Sequence, residues 1–361
     1  MTVDWLYNQI GETFSFLQGS DILFFISALL PSAIIISLMA VNAIVMVYAE
    51  MKVSAFMQDR MGPMGQGPGL HAGKFGILQP IADPIKLLLK EDTIPTVADK
   101  PLFVLAPFII FVGAVIGFLA VPFNQDLIVV DLNIGIFYIM AVGSFAVIGL
   151  ILAGWSSNNK WSLYGGMRSA AQIISYEIPA GLCVITVIML AGSLNMQEII
   201  KYQNGGISNW IIFDNPFSFI SFFIFFICIV AETNRTPFDI SEAESELVGG
   251  FHTEYSGFRW SMFFLSEYAN MLVVCFVASA GFLGGWQSPF EGFMNTPLWG
   301  VFWMLSKVFS LMFVMMWFRW TFPRLRVDQL MYLCWKVFIP FCLANLFFVS
   351  IWELIWSLIF K

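Results

Sequence analysis

The sequence predicts an all-α integral membrane protein with about eight transmembrane helices and a short amphipathic interfacial helix after the first span. Of its 361 residues, 59% are hydrophobic and only 11% are charged, and the mean hydropathy is +0.81. Soluble domains carry about 25% charged residues, so this chain lacks the polar surface that water requires. We therefore expect one polytopic membrane domain over residues 1–361.

Eight segments are apolar and approach the length of about 20 residues that crosses a bilayer. The fourth and fifth are short, and each adjoins a proline, Pro179 or Pro237, that is expected to break a helix. Neither a fixed repeat nor an inverted duplication is visible, which favours a single domain. The predicted spans are residues 22–49, 101–121, 134–154, 178–194, 216–231, 262–283, 298–318 and 337–358.

Basic residues fall almost entirely on one side of these spans. Fourteen of the 17 Lys and Arg residues lie in the loops after the odd-numbered spans, whereas Lys201 and Lys361 lie on the other side and Lys307 lies within a span. Cytoplasmic loops carry such an excess. Both termini are therefore predicted on the outer face, and soluble partners are expected to dock on the cytoplasmic loops, residues 50–100, 155–177, 232–261 and 319–336.

The cysteines and histidines give no ligand pattern for a redox centre. The five cysteines include no CxxC pair, and His71 and His252 both lie outside the apolar spans. Iron–sulfur clusters need grouped cysteines and haem needs axial ligands such as histidine. We expect this chain to bind no cofactor or metal and to have no redox activity alone. Nucleic acid is not an expected partner.

The first cytoplasmic loop joins a glycine-rich stretch to an amphipathic segment. The stretch from Gly62 to Gly73 is too rich in Gly and Pro for a regular helix. Asp83 followed by Pro84 predicts a helix start, and residues 85–89 then predict a short helix in the plane of the interface. The pattern fits a surface connector or a portal through which a lipid-soluble ligand leaves the bilayer.

The third cytoplasmic loop holds six carboxylates against Arg235 and Arg259. On a helix, Glu242 and Glu246 share one face and Glu244 points away from them. Carboxylates crowded near a low-dielectric boundary have raised, coupled pKa values, which suits proton relay. A solvated acidic loop fits the composition equally well. The six are Glu232, Asp239, Glu242, Glu244, Glu246 and Glu254.

Two ionisable residues lie within predicted spans. A charge at the bilayer centre costs about 2.5–3.5 kcal/mol, so such groups usually face the protein interior and have a function. Glu267 in the sixth span is expected to relay protons, and Lys307 in the seventh either to relay protons or to form a structural ion pair. Glu177, beside Pro179, fits relay or a side chain that snorkels to the interface.

Two long polar motifs lie in these cytoplasmic loops. Both resemble the H subunit of bacterial respiratory complex I, the NADH:quinone oxidoreductase, and the resemblance covers essentially the whole chain. The first motif is Gln58-Asp59-Arg60-Met61-Gly62-Pro63, followed by residues 78–83 and by Lys90-Glu91-Asp92. The second is residues 231–239, continued by residues 242–248 and by Glu254-Tyr255.

The resemblance implies a multi-pass subunit of the bacterial inner membrane that walls the quinone chamber and its portal. Its partners are then the quinone-reducing hydrophilic-arm subunits, the other complex I membrane subunits, lipid and quinone, with FMN and iron–sulfur clusters in the partner subunits. The implied proton-coupling acids are Glu177, Glu232, Glu242, Glu244, Glu246, Glu254 and Glu267. The implied chamber or portal residues are Arg60, Gly62, Pro63, Gln79, Asp83, Lys86, Arg235 and Asp239.

The chain departs from the family pattern at two places. Where the family often has Glu-Arg at the end of the first span, this chain has Glu50-Met51, which leaves Arg60 as the basic residue nearby. In the glycine loop, residues 64–67 replace a usual Asn-Arg-Val-Gly, and residues 69–74 resemble an insertion.

Two other classes of protein fit part of the sequence. A proton-linked secondary transporter explains the hydrophobicity and Glu267, but it explains neither the long acidic loop nor the lack of a repeat. A structural anchor for a soluble dehydrogenase is the other class. Membrane-bound hydrogenase complexes contain relatives with the same fold and some of these motifs, so the electron donor stays open.

Overall fold

The computed structural model describes residues 21–64, 75–240, 244–294 and 296–360, and every regular element in these ranges is helical. Seven helices there are long and apolar enough to cross a membrane, and Pro216–Glu232 is a shorter apolar helix of 17 residues. The predicted all-α class with about eight membrane helices is confirmed.

The helices follow the predicted order of spans along the chain. A 3₁₀ turn extends α3, and a π-helical segment, Leu333–Phe338, joins α13 to α14. The bounds are α1 Asp21–Met57, α2 Gln79–Leu89, α3 Lys100–Gly117, α4 Gly135–Gly143, α5 Phe145–Ser156, α6 Lys160–Ala191, α7 Met196–Tyr202, α8 Ile211–Asp214, α9 Pro216–Glu232, α10 Glu244–Leu247, α11 Gly257–Phe282, α12 Pro297–Thr321, α13 Val327–Tyr332 and α14 Ile339–Phe360.

Helix α6 is much longer than the fourth predicted span. Its 32 residues make it about 48 Å long, against about 30 Å for the hydrocarbon core. The Asn159 side chain accepts a hydrogen bond from Trp161 N and caps its start, and Gly192 ends it in the left-handed conformation. The prediction of a loop over 155–177 was wrong, because Pro179 lies inside this helix and does not begin it.

The interfacial helix α2 is present, but its first residue, Gln79, comes five residues before Pro84, the predicted first helical residue. Pro80 lies in its first turn, where a missing backbone N–H leaves no helical hydrogen bond unmade. Because the helix begins at Gln79, Asp83 and Pro84 lie inside it, and Asp83 is not its N-cap. Ile81, Ile85 and Leu88 are exposed along one side, as expected of a face in contact with lipid.

Helix α11 lies at the centre of the bundle and the C-terminal helix lies at its edge. In the apolar window of α11, 72% of the residues are buried, against 22% for Val327–Trp356. Helix α11 packs against α1, α2, α3, α9 and α12. Polar side chains on α11 are therefore enclosed by the other helices.

Glycines set the spacing between α3, α5 and α6. A Cβ on Gly149 of α5 would lie 2.2 Å from Ile110 Cγ1 on α3. A Cβ on Gly154 would lie 2.7 Å from Ser162 O and 3.2 Å from Gly166 Cα on α6. Small residues allow this close approach of helix backbones within a membrane.

We predict that Gly149→Ala lowers the thermal stability and yield of the protein. The added methyl group overlaps Ile110, and overpacking of this kind costs about 1–3 kcal/mol. The matched control is Gly181→Ala on α6, where a Cβ meets nothing within 4 Å and alanine gains roughly 0.5–1 kcal/mol of helix propensity. Thermal unfolding of both variants in detergent is the measurement, and equal melting temperatures would contradict the packing.

Candidate functional site

Four charged side chains meet where α11 and α12 pack against the C-terminal end of α1. Arg235 Nη1 lies 3.1 Å from Glu50 Oε1 and 3.3 Å from Glu50 Oε2. Arg235 Nε lies at ion-pair distance, 3.5 Å, from Glu267 Oε1. Arg319 also donates a hydrogen bond to the Glu50 carboxylate. Together with Tyr268, these residues form what we name the buried ion cluster.

Tyr268 completes the cluster, which has no net charge. Its hydroxyl donates to Glu50, and its ring lies 4.6 Å from the Arg235 guanidinium carbon. Arg235 is only 6% exposed and Glu50 only 7%. Buried charges are tolerated when each has an opposite partner and hydrogen bonds. Here two carboxylates and two guanidiniums balance, so a change of charge beside one of them disturbs all four.

The turn after α9 positions the Arg235 side chain in the buried ion cluster. Asn234 adopts a positive φ of 51°, and Arg235 N donates to Val230 O at 3.2 Å, which closes the turn. Gln172 of α6 donates to Ala231 O at 2.7 Å and to Asn234 Oδ1 at 3.1 Å. The polar run from Glu232 to Thr236 is therefore an anchored turn that points a guanidinium inward.

Glu267 connects the cluster to Glu232 through a small cavity. Glu267, Glu232, Asn234, His252 and Asn270 all line this cavity of about 50 Å³. A water needs roughly 10–15 Å³ of such space, so the cavity has room for a few water molecules. The two carboxylates thus line one shared cavity, in which apolar side chains form most of the remaining wall.

A second cavity, of about 40 Å³, continues from Glu232 toward α4 and is lined by Gly143. A Cβ on Gly143 would lie 3.6 Å from Glu232 Oε1. The next residue, Ser144, separates α4 from α5 and donates to both oxygens of Glu177 at 3.3 and 3.4 Å. This break in the third span therefore lies between Glu232 and Glu177, and the three acids form an ordered series.

The structure places Glu246 and Glu254 apart from this series. Glu246 is 57% exposed and pairs with Arg168 at 2.7 Å. That hydrogen bond holds the pKa of Glu246 below its ordinary value, so the expectation of a buried acid titrating near neutral pH was wrong for this residue. Glu254 accepts from Asn159 Nδ2 at 2.6 Å. Glu242 lies outside the described residues, and Glu244 is described only as the start of α10.

The predicted portal residues surround α2 and the end of α1. Helix α2 packs against α1 and α11, the two helices that supply Glu50 and Glu267. Gln79 Nε2 lies 3.5 Å from Asp83 Oδ1 on its partly buried side, and Lys86 pairs with Asp83 at 3.7 Å. Asp239 is half-buried and lies in the segment that follows α9, far from α2 in the sequence.

Gly62 and Pro63 pack against α1. A Cβ on Gly62 would lie 3.1 Å from Lys52 Cδ, and Lys52 Nζ donates to Pro63 O at 3.3 Å. Arg60 is exposed and donates to Gln58 at 2.7 Å. In the described part of the chain, the basic partners of Glu50 are Arg235 and Arg319.

Lys307 neither pairs with a carboxylate nor joins the acid series in the described part of the chain. Its ammonium donates to the carbonyls of Leu283, Gly285 and Gln287 at 2.7–2.9 Å, and it lies 4.2 Å from the ring centre of Trp210. The expected ion pair is replaced by a cap on the C-terminal end of α11, where free carbonyls attract a cation.

Sequence reasoning missed Arg319 and Tyr268. Arg319 was counted only as a cytoplasmic loop charge, and Tyr268 was not considered although it adjoins Glu267. The available signal was their place: Arg319 lies in the last turn of its helix, and Tyr268 directly follows Glu267, the ionisable residue of its span. Polar side chains at matching depth on neighbouring spans are candidates for contact.

The fold and this site define a multi-pass α-helical membrane protein with ionised side chains enclosed between its helices. The family model described as NADH dehydrogenase matches residues 30–350, and the chain belongs to this family. The resemblance found from the motifs is thereby confirmed.

Curated relatives are named as the H subunit of NADH-quinone oxidoreductase. The relative from Chlorobaculum tepidum is 52% identical over 316 residues, covering 85% of this chain and 86% of the relative. The relative from Anaeromyxobacter dehalogenans is 44% identical over 354 residues, covering 93% and 84%. The relative from Bacillus thuringiensis is 49% identical over 306 residues, covering 84% and 87%.

We predict that Arg235→Met destabilises the protein far more than Lys86→Met does. Loss of Arg235 leaves the buried Glu50 and the half-buried Glu267 with one guanidinium, and an uncompensated buried charge costs about 3–5 kcal/mol. Lys86 is 71% exposed, and an exposed pair contributes less than about 1 kcal/mol. Thermal unfolding and the yield of purified protein test this. Similar melting temperatures for the two variants would show that the cluster carries little of the stability.

Proposed function

We propose that this chain is the membrane subunit of a proton-translocating NADH:quinone oxidoreductase, that it forms part of the quinone chamber and its membrane portal, and that its buried carboxylates link quinone reduction to proton pumping. One observation carries the proposal. The buried ion cluster and the acid series share Glu267, so a charge that appears beside the cluster acts directly on the first acid of the series.

The cluster is the element that senses the quinone. Reduction of a quinone to a quinol takes up two electrons and two protons, and the electrons arrive before charge is fully neutralised. A reduced, negatively charged headgroup then competes with Glu50 and Glu267 for Arg235 and Arg319. A carboxylate that loses its guanidinium in a low-dielectric site becomes a better proton acceptor. Electron arrival is thus converted into proton uptake at Glu267.

The acid series is the element that moves the proton. Waters in the cavity of about 50 Å³ connect Glu267 with Glu232, and waters in the cavity of about 40 Å³ connect Glu232 with the Gly143–Ser144 break beside Glu177. Glu177 is near enough to Glu232 to repel it electrostatically, so a proton on one carboxylate favours ionisation of the other. Protons consequently move along the series one at a time.

Helix α2 is the proposed wall of the portal. Its apolar side, with Ile81, Ile85 and Leu88, is suited to lipid. Gln79 and Asp83 are half-buried on this helix, which packs against α1 and α11. A quinone with an apolar tail is then guided along α2 toward the cluster. Arg60 and Lys86, both exposed, flank this approach on the cytoplasmic side.

The remaining parts of the complex are proposed to lie in other chains. FMN and iron–sulfur clusters belong to hydrophilic-arm subunits that dock on the cytoplasmic loops, and the chain alone has no redox activity. Other membrane subunits continue the proton path from Glu177. The positive-inside distribution supports a bacterial cell-membrane location with both termini on the outer face.

We predict that Glu232→Gln lowers quinone reduction and proton translocation together in an assembled complex. The substitution keeps shape and hydrogen bonding but removes the proton-binding group between the two cavities. Glu198→Gln is the matched control, because Glu198 is an exposed acid on α7, outside the series. The measurement is proton translocation per NADH oxidised in sealed vesicles, with assembly checked on a native gel. An unchanged rate and unchanged proton yield for Glu232→Gln would refute the series.

We predict that Ala82→Trp slows turnover with a long-tailed quinone at least several-fold and leaves reduction of a hydrophilic artificial acceptor intact. Ala82 is half-buried on α2, and a bulky ring there narrows the gap beside the helix. Leu89→Trp is the control, since Leu89 on the same helix is 83% exposed. Equal loss of both activities in Ala82→Trp would indicate misfolding and not a blocked portal.

A further inference from the structure

A groove runs between α6 and α13 at the cytoplasmic end of the bundle, apart from the buried ion cluster and the acid series. It has two parts, of about 280 Å³ and about 250 Å³, that share Arg168, Ile240 and Val327 and are therefore continuous. The first part is almost entirely apolar and the second is mostly charged. Apart from the shared residues, the apolar part is lined by Tyr164, Met167, Ala171, Gln172, Leu330 and Met331.

The described residues that line the charged part carry one positive charge in excess. Arg168 pairs with Glu246 at 2.7 Å, and Arg326 Nε pairs with Asp328 at 3.3 Å. Arg324 lines the same part. Within the described ranges it has no ion pair, and its buried Nη2 atom has no hydrogen-bond partner. Three guanidiniums against two carboxylates leave a net charge of +1, and the unmatched guanidinium is that of Arg324.

The apolar part is open to the lipid side. Tyr164 and Met167 on α6 are 57% and 56% exposed, and the helix that begins at Val327 is the least enclosed of the spans. Because Arg168 is about two turns into α6, the charged part lies at the level where α6 leaves the apolar core. A ligand that satisfies both parts has an anionic head at this interface and an apolar tail directed into the membrane.

We propose that the α6–α13 groove binds one anionic glycerophospholipid of the phosphatidylglycerol type. Its phosphate lies on Arg324 and Arg326, and one acyl chain lies along Met167, Ala171 and Met331. A single phosphodiester matches the net charge of +1. Basic pockets between spans on the cytoplasmic side are suited to lipid headgroups.

Other ligand classes satisfy only half of the groove. A quinone has the apolar tail, but its neutral headgroup leaves Arg324 without a counter-charge. A soluble anion, or an acidic segment of a partner protein, matches the arginines but leaves the apolar part empty. Lipid binding here is independent of the proposed redox function, because it rests on the charge and lining of a different site.

The test uses the whole purified complex in lipid nanodiscs that contain phosphatidylglycerol and phosphatidylcholine. Two variants address the two parts separately: Arg324→Gln with Arg326→Gln removes the charge, and Ala171→Phe fills the apolar part. Lys160→Gln, an exposed charge at the start of α6 and outside the groove, is the control. Lipid retained after detergent washing is quantified by mass spectrometry, and titration with phosphatidylglycerol gives the affinity.

We expect wild type and Lys160→Gln to retain one phosphatidylglycerol and both groove variants to lose it. Each arginine near an anionic lipid strengthens binding about fivefold, so the double variant binds roughly thirtyfold more weakly. Inorganic phosphate at equal concentration does not displace the lipid from wild type. Equal retention of phosphatidylcholine would overturn the proposal. Unchanged retention in Ala171→Phe would also overturn it, because a soluble anion or an acidic protein segment would then be the occupant.

A labelling experiment on wild-type complex keeps the proposal testable if a variant fails to assemble. Phosphatidylglycerol with a photoactivatable group on its acyl chain is expected to label peptides that contain Met167 or Met331. Labelling of other lipid-facing peptides to the same extent, with no preference for these two, would refute a specific site.

Discussion

The pairing of Arg235 with Glu50 and Glu267 is the interaction on which this end of the bundle depends. It joins the end of α1, the turn after α9 and the first part of α11, and Arg319 adds α12 to the same contact. Each of these charges alone is costly in a membrane, and together they are neutral. Electrostatic attraction therefore holds these four segments together. It acts at the point where the turn after α9 interrupts the packing of the helices.

Because the four charges of the buried ion cluster balance one another, an added charge nearby disturbs that balance. A purely apolar junction has no means of registering the arrival of one electron nearby, whereas a balanced set of four charges is shifted by any added charge. Glu267 belongs both to this set and to the cavity shared with Glu232. The proposed link between quinone reduction and proton uptake therefore depends on this one carboxylate.

The apolar runs and the two polar motifs were enough to predict the class of fold, most spans and the family, because these three features can be read from local sequence. The length of α6 was not predicted, since capping by Asn159 and packing against α5 and α9 outweigh the local signal of Pro179. The partners of Glu50 were not predicted either. Arg319 lies 269 residues away along the chain, and such a contact is set by how the helices pack. Glu246 shows the converse error, because an acidic motif does not reveal which of its members pairs with a surface arginine.

The small size of the two cavities beside Glu232 has a consequence for the integrity of the membrane. Spaces of about 40 and 50 Å³ admit isolated waters, while a metal ion also needs room for its shell of oxygen ligands. A proton hops along a few waters by exchange of hydrogen bonds, and the surrounding helices need not separate. Under the proposed function, these cavities pass protons through waters and are too small for a Na⁺ or K⁺ ion with its full shell of oxygen ligands.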